Sequence, residues 1–562
     1  MTKVLQTKLM VAKLADILNK RQFLSVVLLV GICTLVFSSA LNNGFVWDDF
    51  DFIVNWQALR AFPSNTYDLL SGSLPSTHAH AYRPLRSIYY GTAFRFFHLE
   101  PQLYHLLSIV VHTAVVVTIF LSIKKITKSN NSALLGSLLF GLHPSNSEAV
   151  YWITASFDSI GSLFFFLSLY FFISFRQKVA KSHPQMVRQT FYVVSVLCAG
   201  IAFYSYELTL TLPAILALYD YLHYKKLFRW KTFFPYLLLN SGYWFMRFVE
   251  LKITNDKPPV FESTIDNLLL VPLLIFHYVK QTFFPLVVTV NHQLKTDLTS
   301  FFYADYNFKA PPLPPTIFNL QVLSGIVLLM LVVVGFIKWR QKFPPLIFAG
   351  LAFFVTLVPV LQLFPRSIIF SERYLYLGIG IATIFITKVV NEKVPRRRQT
   401  LLAVVTSCLL VGFAYKTHLR GYDWKNGISL WTASAQTTPK SMTMYRNLSD
   451  AYNKDKQFEK TIETAKKGIE INPNNYTVYS NLASGYLGLQ ELDLALGAFE
   501  KVLELNPNDV YAYVKVGDIY YVKNNPSEAI KYYRMALNYP SNYTQYLQLR
   551  LVEITSDLEQ AK

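Results

Sequence analysis

Asn43 to Ile53 reads Asn-Gly-Phe-Val-Trp-Asp-Asp-Phe-Asp-Phe-Ile and sets three carboxylates, Asp48, Asp49 and Asp51, within four residues just after an apolar run. Carboxylates so close repel one another. Two readings stand: a solvated acidic helix cap, or a general base whose pKa partial burial and like charge lift toward a useful value. Further ionisable groups recur at the ends of later apolar runs: Arg83 and Arg86, His143 with Glu148, Asp158, Glu207, Arg247, and the pair Glu372 and Arg373. Singly, each reads as a salt bridge or a snorkelling side chain. Together, at membrane depth where charge is costly, they imply one polar cavity. Arg83, Arg247 and Arg373 suit a phosphate. Asp48 or Asp49 suits removal of a proton from a hydroxyl, with His143, Glu148, Asp158, Glu207 and Glu372 as supporting groups. A sugar on a polyprenyl phosphate meets these requirements: phosphate already leaves well, so one base is sufficient for direct displacement with inversion. No zinc or EF-hand ligand spacing occurs, so no metal or other cofactor is expected.

The elements that must hold these groups are membrane helices. The 562 residues are 52% hydrophobic and only 15% charged, against roughly 25% charged in soluble domains. Apolar runs such as Phe23 to Leu41, Leu103 to Ile123, Phe157 to Phe175 and Phe318 to Ile337 approach the roughly 20 residues a span needs. Counting them with their flanks predicts about eleven or twelve spans before residue 415. The stretch Leu268 to Val290 is left open between crossing, re-entry and an interfacial position. The net charge of +19 lies largely in short loops, as at Lys8 to Arg21, Lys124 to Lys128, Lys225-Lys226 and Arg396-Arg397-Arg398. That is a positive-inside bias and not a nucleic-acid footprint. It puts the Asp48 loop outside. Cys33, Cys198 and Cys408 all sit within apolar runs and offer no disulfide framework.

Beyond about residue 416 the chain turns polar. Pro439, Pro473 and Pro507 recur every 34 residues, the tetratricopeptide period. Tyr445, Tyr479 and Tyr513 share one signature position that is expected to be buried. Asn447, Asn481 and Lys515 are candidates for gripping an extended acceptor, and Trp424 and Trp431 are expected on a half repeat that precedes the array. The predicted fold is therefore all-α: a multispanning bundle over 1–415 and a repeat solenoid over 416–562.

Phe45-Val46-Trp47-Asp48-Asp49, Tyr82-Arg83-Pro84-Leu85, Leu142-His143-Pro144 with Glu148, Asp158, Glu207 before Thr211-Leu212-Pro213, and Ser371-Glu372-Arg373-Tyr374-Leu375-Tyr376-Leu377 stand in an order that resembles the transmembrane and tetratricopeptide-repeat-containing protein O-mannosyltransferases. The resemblance implies that Asp48 and Asp49 lie in the catalytic motif. It also implies a polyprenyl-phosphate sugar donor, mannose being one candidate, and an acceptor protein held by repeats on the non-cytoplasmic side of a bacterial plasma membrane or endoplasmic reticulum. Two departures are basic groups lost: Ser156 stands where the family shows arginine, and Tyr206 where it shows lysine. The competing reading is an inactive membrane-anchored repeat scaffold for protein–protein interaction.

Overall fold

The computed structural model describes residues 20–71, 82–224, 230–253, 259–295, 298–299, 314–363, 366, 368–539, 541 and 543–560. The basic stretch before residue 20 and Lys225-Lys226 lie outside the described residues. The chain divides into two compact units, one of residues 1–290 and 314–426, the other of residues 291–313 and 427–562.

Among the described residues of the first unit, six helices are long and apolar enough to cross a membrane: Pro101–Thr127, Ile153–Ala180, Gln185–Phe203, Leu320–Trp339, Glu372–Lys393 and Arg396–Asp423. The 28 residues of Ile153–Ala180 rise about 42 Å, more than the roughly 30 Å hydrocarbon core. The other apolar runs form shorter or interrupted helices, such as Asn130–Gly141, Leu212–Tyr224, Pro344–Leu357 and Trp230–Phe245, the last with Pro235 inside it. Of the ambiguous stretch Leu268 to Val290, the part up to Phe283 belongs to the helix Thr264–Phe283, which carries Pro272, and the remainder is not helical.

Ile153–Ala180 is the central element, packing on Pro101–Thr127, Gln185–Phe203 and Leu212–Tyr224. Near its far end Arg176 is buried in a 2.7 Å pair with Asp220, and Ser168, Ser195 and Tyr236 link three helices by hydrogen bonds. A second close crossing joins Thr264–Phe283 to Leu320–Trp339. A Cβ on Gly325 would stand 1.9 Å from the Pro272 carbonyl oxygen, so only glycine permits that approach.

In the second unit the first helix of each pair begins at Met442, Tyr476, Val510 and Thr544, a constant step of 34 residues. Thr544–Gln560 thus takes the first-helix position of a fourth repeat. Small residues at Ala465, Ala483, Ala495, Ala512 and Ala529 are fully buried between helices, the close packing that makes each repeat depend on its neighbour. Tyr513 is buried and Tyr479 packs on the core, in keeping with the signature. Two of the expected acceptor contacts, Asn481 and Lys515, are engaged within the array, whereas the Asn447 amide nitrogen has no hydrogen-bond partner among the described residues. The Asn481 amide donates to the Arg446 carbonyl (2.8 Å) and the Ser449 hydroxyl (2.9 Å), Asn447 accepts from Arg446, and Lys515 pairs with Asp518. Trp431 lies on the helix Gly427–Thr437, as expected. Trp424 instead caps the preceding helix Arg396–Asp423, its ring stacked on Trp152. A two-stranded antiparallel ribbon, Gln293–Lys295 with Leu298–Thr299, also belongs to this unit.

Gly325→Val should lower stability by about 1–3 kcal/mol through overpacking, whereas Gly412→Ala, with nothing within 4 Å of its Cβ, should be nearly neutral. Thermal unfolding of both variants in detergent checks the contrast.

Candidate functional site

The acidic loop is built around Trp47, whose φ of 51° is left-handed, an uncommon choice for a bulky residue. Its indole lies flat on Trp152, with centroids 4.4 Å apart and planes 8° apart. This turn sends the two neighbouring carboxylates into different surroundings. Asp49 is fully buried. Its Oδ2 accepts from the Val46 amide at 3.0 Å, and its Oδ1 from the Thr154 amide at 2.8 Å and the Thr154 hydroxyl at 2.5 Å. Asp49 therefore closes its own turn and also satisfies a free N–H at the start of Ile153–Ala180. Burial outweighs these bonds and pushes its carboxyl up to about 7. Asp48 is half-buried. A wide helical turn, Phe50–Val54, follows, and the Arg86 guanidinium lies 4.1 Å from the Phe52 ring centroid.

One helical turn beyond Thr154 on the same helix stands Asp158, which joins the acidic loop to a cluster of charges. Arg83 pairs with Asp158 (3.0 Å) and Glu207 (2.6 Å). Arg373 pairs with Glu148 (2.8 Å) and lies 3.6 Å from Asp158, and Arg247 lies 3.9 Å from Glu207. The Ser371 hydroxyl also donates to Glu148. Local structure makes these meetings possible. Pro84 opens the helix that follows Arg83. Gly161 lets the Ser205–Glu207 turn lean on the helix one turn after Asp158, since a Cβ there would stand 2.6 Å from that of Tyr206. Burial alone would raise the Glu207 carboxyl, but Arg83, with Arg366 and Arg247 behind it, holds it down at about 2.

Of the sequence candidates, Arg83, Glu148, Asp158, Glu207, Arg247 and Arg373 thus converge, while His143 and Glu372 do not join them. His143 Nε2 donates to the Thr282 carbonyl (2.9 Å) and Nδ1 accepts from the Ser145 amide; burial lowers its pKa to about 4, so the ring is neutral. Glu372 accepts from the Gln281 amide (3.1 Å) and the Thr289 N–H (3.0 Å). Both pin the end of Thr264–Phe283. Beside that end an apolar cavity of about 340 Å³, lined among others by Thr282, Phe283, Leu331, Val332, Phe353 and Ile386, opens between four helices. Sequence reasoning missed Arg366, a lone arginine between apolar runs, and the Trp47–Trp152 stack. Among the described residues no three His, Cys, Asp or Glu side chains are grouped to hold a metal ion.

Removing one member of a buried ion pair leaves the other uncompensated, which costs about 3–5 kcal/mol. Arg373→Met should therefore unfold at markedly lower temperature than wild type, and Arg373→Met with Glu148→Gln should recover much of the loss. A double-mutant cycle on melting free energies tests the coupling.

Tetratricopeptide-repeat models match residues 443–475 and 481–543. Protein O-mannosyl-transferase TMTC3 of Homo sapiens is 22% identical over 473 residues, 78% of this chain and 50% of that protein. Its Mus musculus counterpart is 24% identical over 487 residues, 80% of this chain and 51% of that protein. Protein O-mannosyl-transferase F38B6.6 of Caenorhabditis elegans is 22% identical, over 75% of this chain and 59% of that protein. The chain thus spans about half the length of the curated relatives it matches. The solved structure of ArnT from Cupriavidus metallidurans bound to undecaprenyl phosphate aligns over 87% of this chain and 80% of its own at 15% identity, with a TM-score of 0.39, too loose a likeness to fix the fold. On sequence, this chain is similar over three quarters or more of its length to the transmembrane and tetratricopeptide-repeat-containing protein O-mannosyltransferases, and its C-terminal region matches tetratricopeptide repeats.

Proposed function

We propose that the chain is an integral membrane glycosyltransferase that moves a sugar from a polyprenyl phosphate to a protein hydroxyl on the non-cytoplasmic face. The observation that carries this reading is the division between adjacent carboxylates: Asp49 is committed to Val46 and Thr154, and Asp48, half-buried beside it, is the base. Asp48 takes the proton of the acceptor hydroxyl as that oxygen attacks the anomeric carbon. The bond from that carbon to the phosphate oxygen breaks, its electron pair leaves with the phosphate, and the configuration inverts. Arginine charge near Glu207 and Asp158 meets the charge that develops on the phosphate, so the transfer proceeds without a metal. The apolar cavity beside Thr282 suits part of an isoprenoid tail. The relatives' names as protein O-mannosyl-transferases support mannose as the sugar and a protein as the acceptor.

Sidedness has support within the first unit. The Gly44 amide donates to the Lys425 carbonyl (2.9 Å), and the Asn43 amide side chain donates to the Gly421 carbonyl (3.0 Å). The last span therefore ends where the acidic loop begins, one span away from the basic Arg396-Arg397-Arg398 end. We place the repeats on the loop's side of the membrane, where they hold the acceptor.

In a transfer assay with a lipid-phosphate sugar, Asp48→Asn should lose about 100-fold or more in turnover without loss of folding, and chelation by EDTA should change nothing. Asp48→Asn at wild-type rate would sink the mechanism and favour a scaffold.

Asp49 gives a pH signature of its own. Its folded pKa of about 7 lies above the ordinary carboxylate value, so between about pH 4 and 7 the folded state holds a proton that the unfolded state has released. Its contribution to stability is then greatest below about pH 4 and declines as pH rises to about 7. Melting temperatures across that window should show a downward slope in wild type that is flattened in Asp49→Asn.

A further inference from the structure

The three arginines expected to hold phosphate are matched by three buried carboxylates. Arg83 spends its Nε and both terminal nitrogens on Asp158 and Glu207, Arg373 is drawn to Glu148 and Asp158, and Arg247 faces Glu207. An incoming phosphate would have to compete with those pairs. Two neighbouring groups carry no such commitment. Arg366 has no carboxylate within ion-pair distance among the described residues. Its guanidinium makes one long bond, 3.4 Å, to the Pro359 carbonyl and lies 5.8 Å from the Tyr374 ring centroid, with Arg373 at 5.4 Å from the same centroid. Tyr206 is 1% exposed, and its hydroxyl has no hydrogen-bond partner among the described residues, although the Arg83 guanidinium sits 5.6 Å from its ring centroid. A buried hydroxyl left unsatisfied beside a charged cluster calls for an explanation. An anion that accepts from it supplies one.

We propose that the Tyr206 hydroxyl and the Arg366 guanidinium form the phosphate subsite, with the phosphate of a lipid-linked donor as its occupant; the inference rests on the glycosyl-transfer reading above. Arg366 supplies a charge that Glu207 feels but that no carboxylate among the described residues pairs with at ion-pair distance, and Tyr206 supplies a neutral, buried donor. Arg83, Arg247 and Arg373 then act as the frame that positions Asp158 and Glu207.

Titration of the purified full chain with farnesyl phosphate, read by tryptophan fluorescence, tests this, with farnesol and inorganic phosphate as separate arms. Wild type should bind farnesyl phosphate, and Arg366→Met and Tyr206→Phe should each weaken that binding about tenfold or more, the usual effect of losing a hydrogen bond to a charged group. Tyr206→Phe removes no bond within the protein, so its melting temperature should stay at the wild-type value. Farnesol affinity should be the same in all three proteins. If wild type binds farnesyl phosphate and both variants bind it equally well, the subsite is wrong while the glycosyl-transfer reading stands. A loss confined to one variant removes the other residue from the subsite. Inorganic phosphate binding as tightly as farnesyl phosphate would overturn a lipid-linked occupant. No binding of farnesyl phosphate by wild type would overturn both the subsite and the function it rests on.

Discussion

Charge withdrawn from water must be neutralised close by, and that requirement shapes the first unit. Arg83, Glu148, Asp158, Glu207, Arg247 and Arg373 come from separate segments, and their side chains are each less than one-fifth exposed. An isolated charge in such surroundings would cost several kcal/mol. Each pair is therefore a constraint on where two helix ends must meet. The missing side chain at Gly161, the proline that opens the helix after Arg83 and the short helical turn that carries Glu207 are the local means by which the ends do meet.

How much of this was legible in the sequence depends on the range of the physics involved. A charge at the end of an apolar run is rare because it is expensive, so Arg83, Asp158, Glu207 and Arg373 announce themselves. Their pairings do not, because Arg83 lies 75 residues from Asp158 and 124 from Glu207 and no local pattern encodes contacts at that separation. His143 and Glu372 look the same in sequence as their neighbours, yet they face the end of another helix. Their side-chain direction follows from packing alone. The different surroundings of Asp48 and Asp49 are hidden from the sequence for a related reason: they turn on the left-handed backbone of Trp47, which tryptophan's own preference does not foretell.

The repeats lie at the other extreme. Their order is periodic, each helix pair repeats the same contacts with its neighbour, and a 34-residue step survives intact from sequence to structure. What periodicity does not disclose is which polar residues stay available. Asn481 stands on a first helix where a ligand contact is plausible, and its amide is spent on tying adjacent repeats together.

The hydrogen bonds from Thr154 to Asp49 bear on accuracy as well as on stability. Adjacent Cα atoms are about 3.8 Å apart across a single peptide unit, so anything that anchors Asp49 to the start of a 28-residue helix also fixes the pivot from which Asp48 swings. The stacking of Trp47 on Trp152 holds the residue on the other side of Asp48 as well. The loop thus behaves like a short lever clamped at its fulcrum: its backbone entropy is spent during folding, before any substrate arrives, and little of it remains to be lost in reaching the reactive pose.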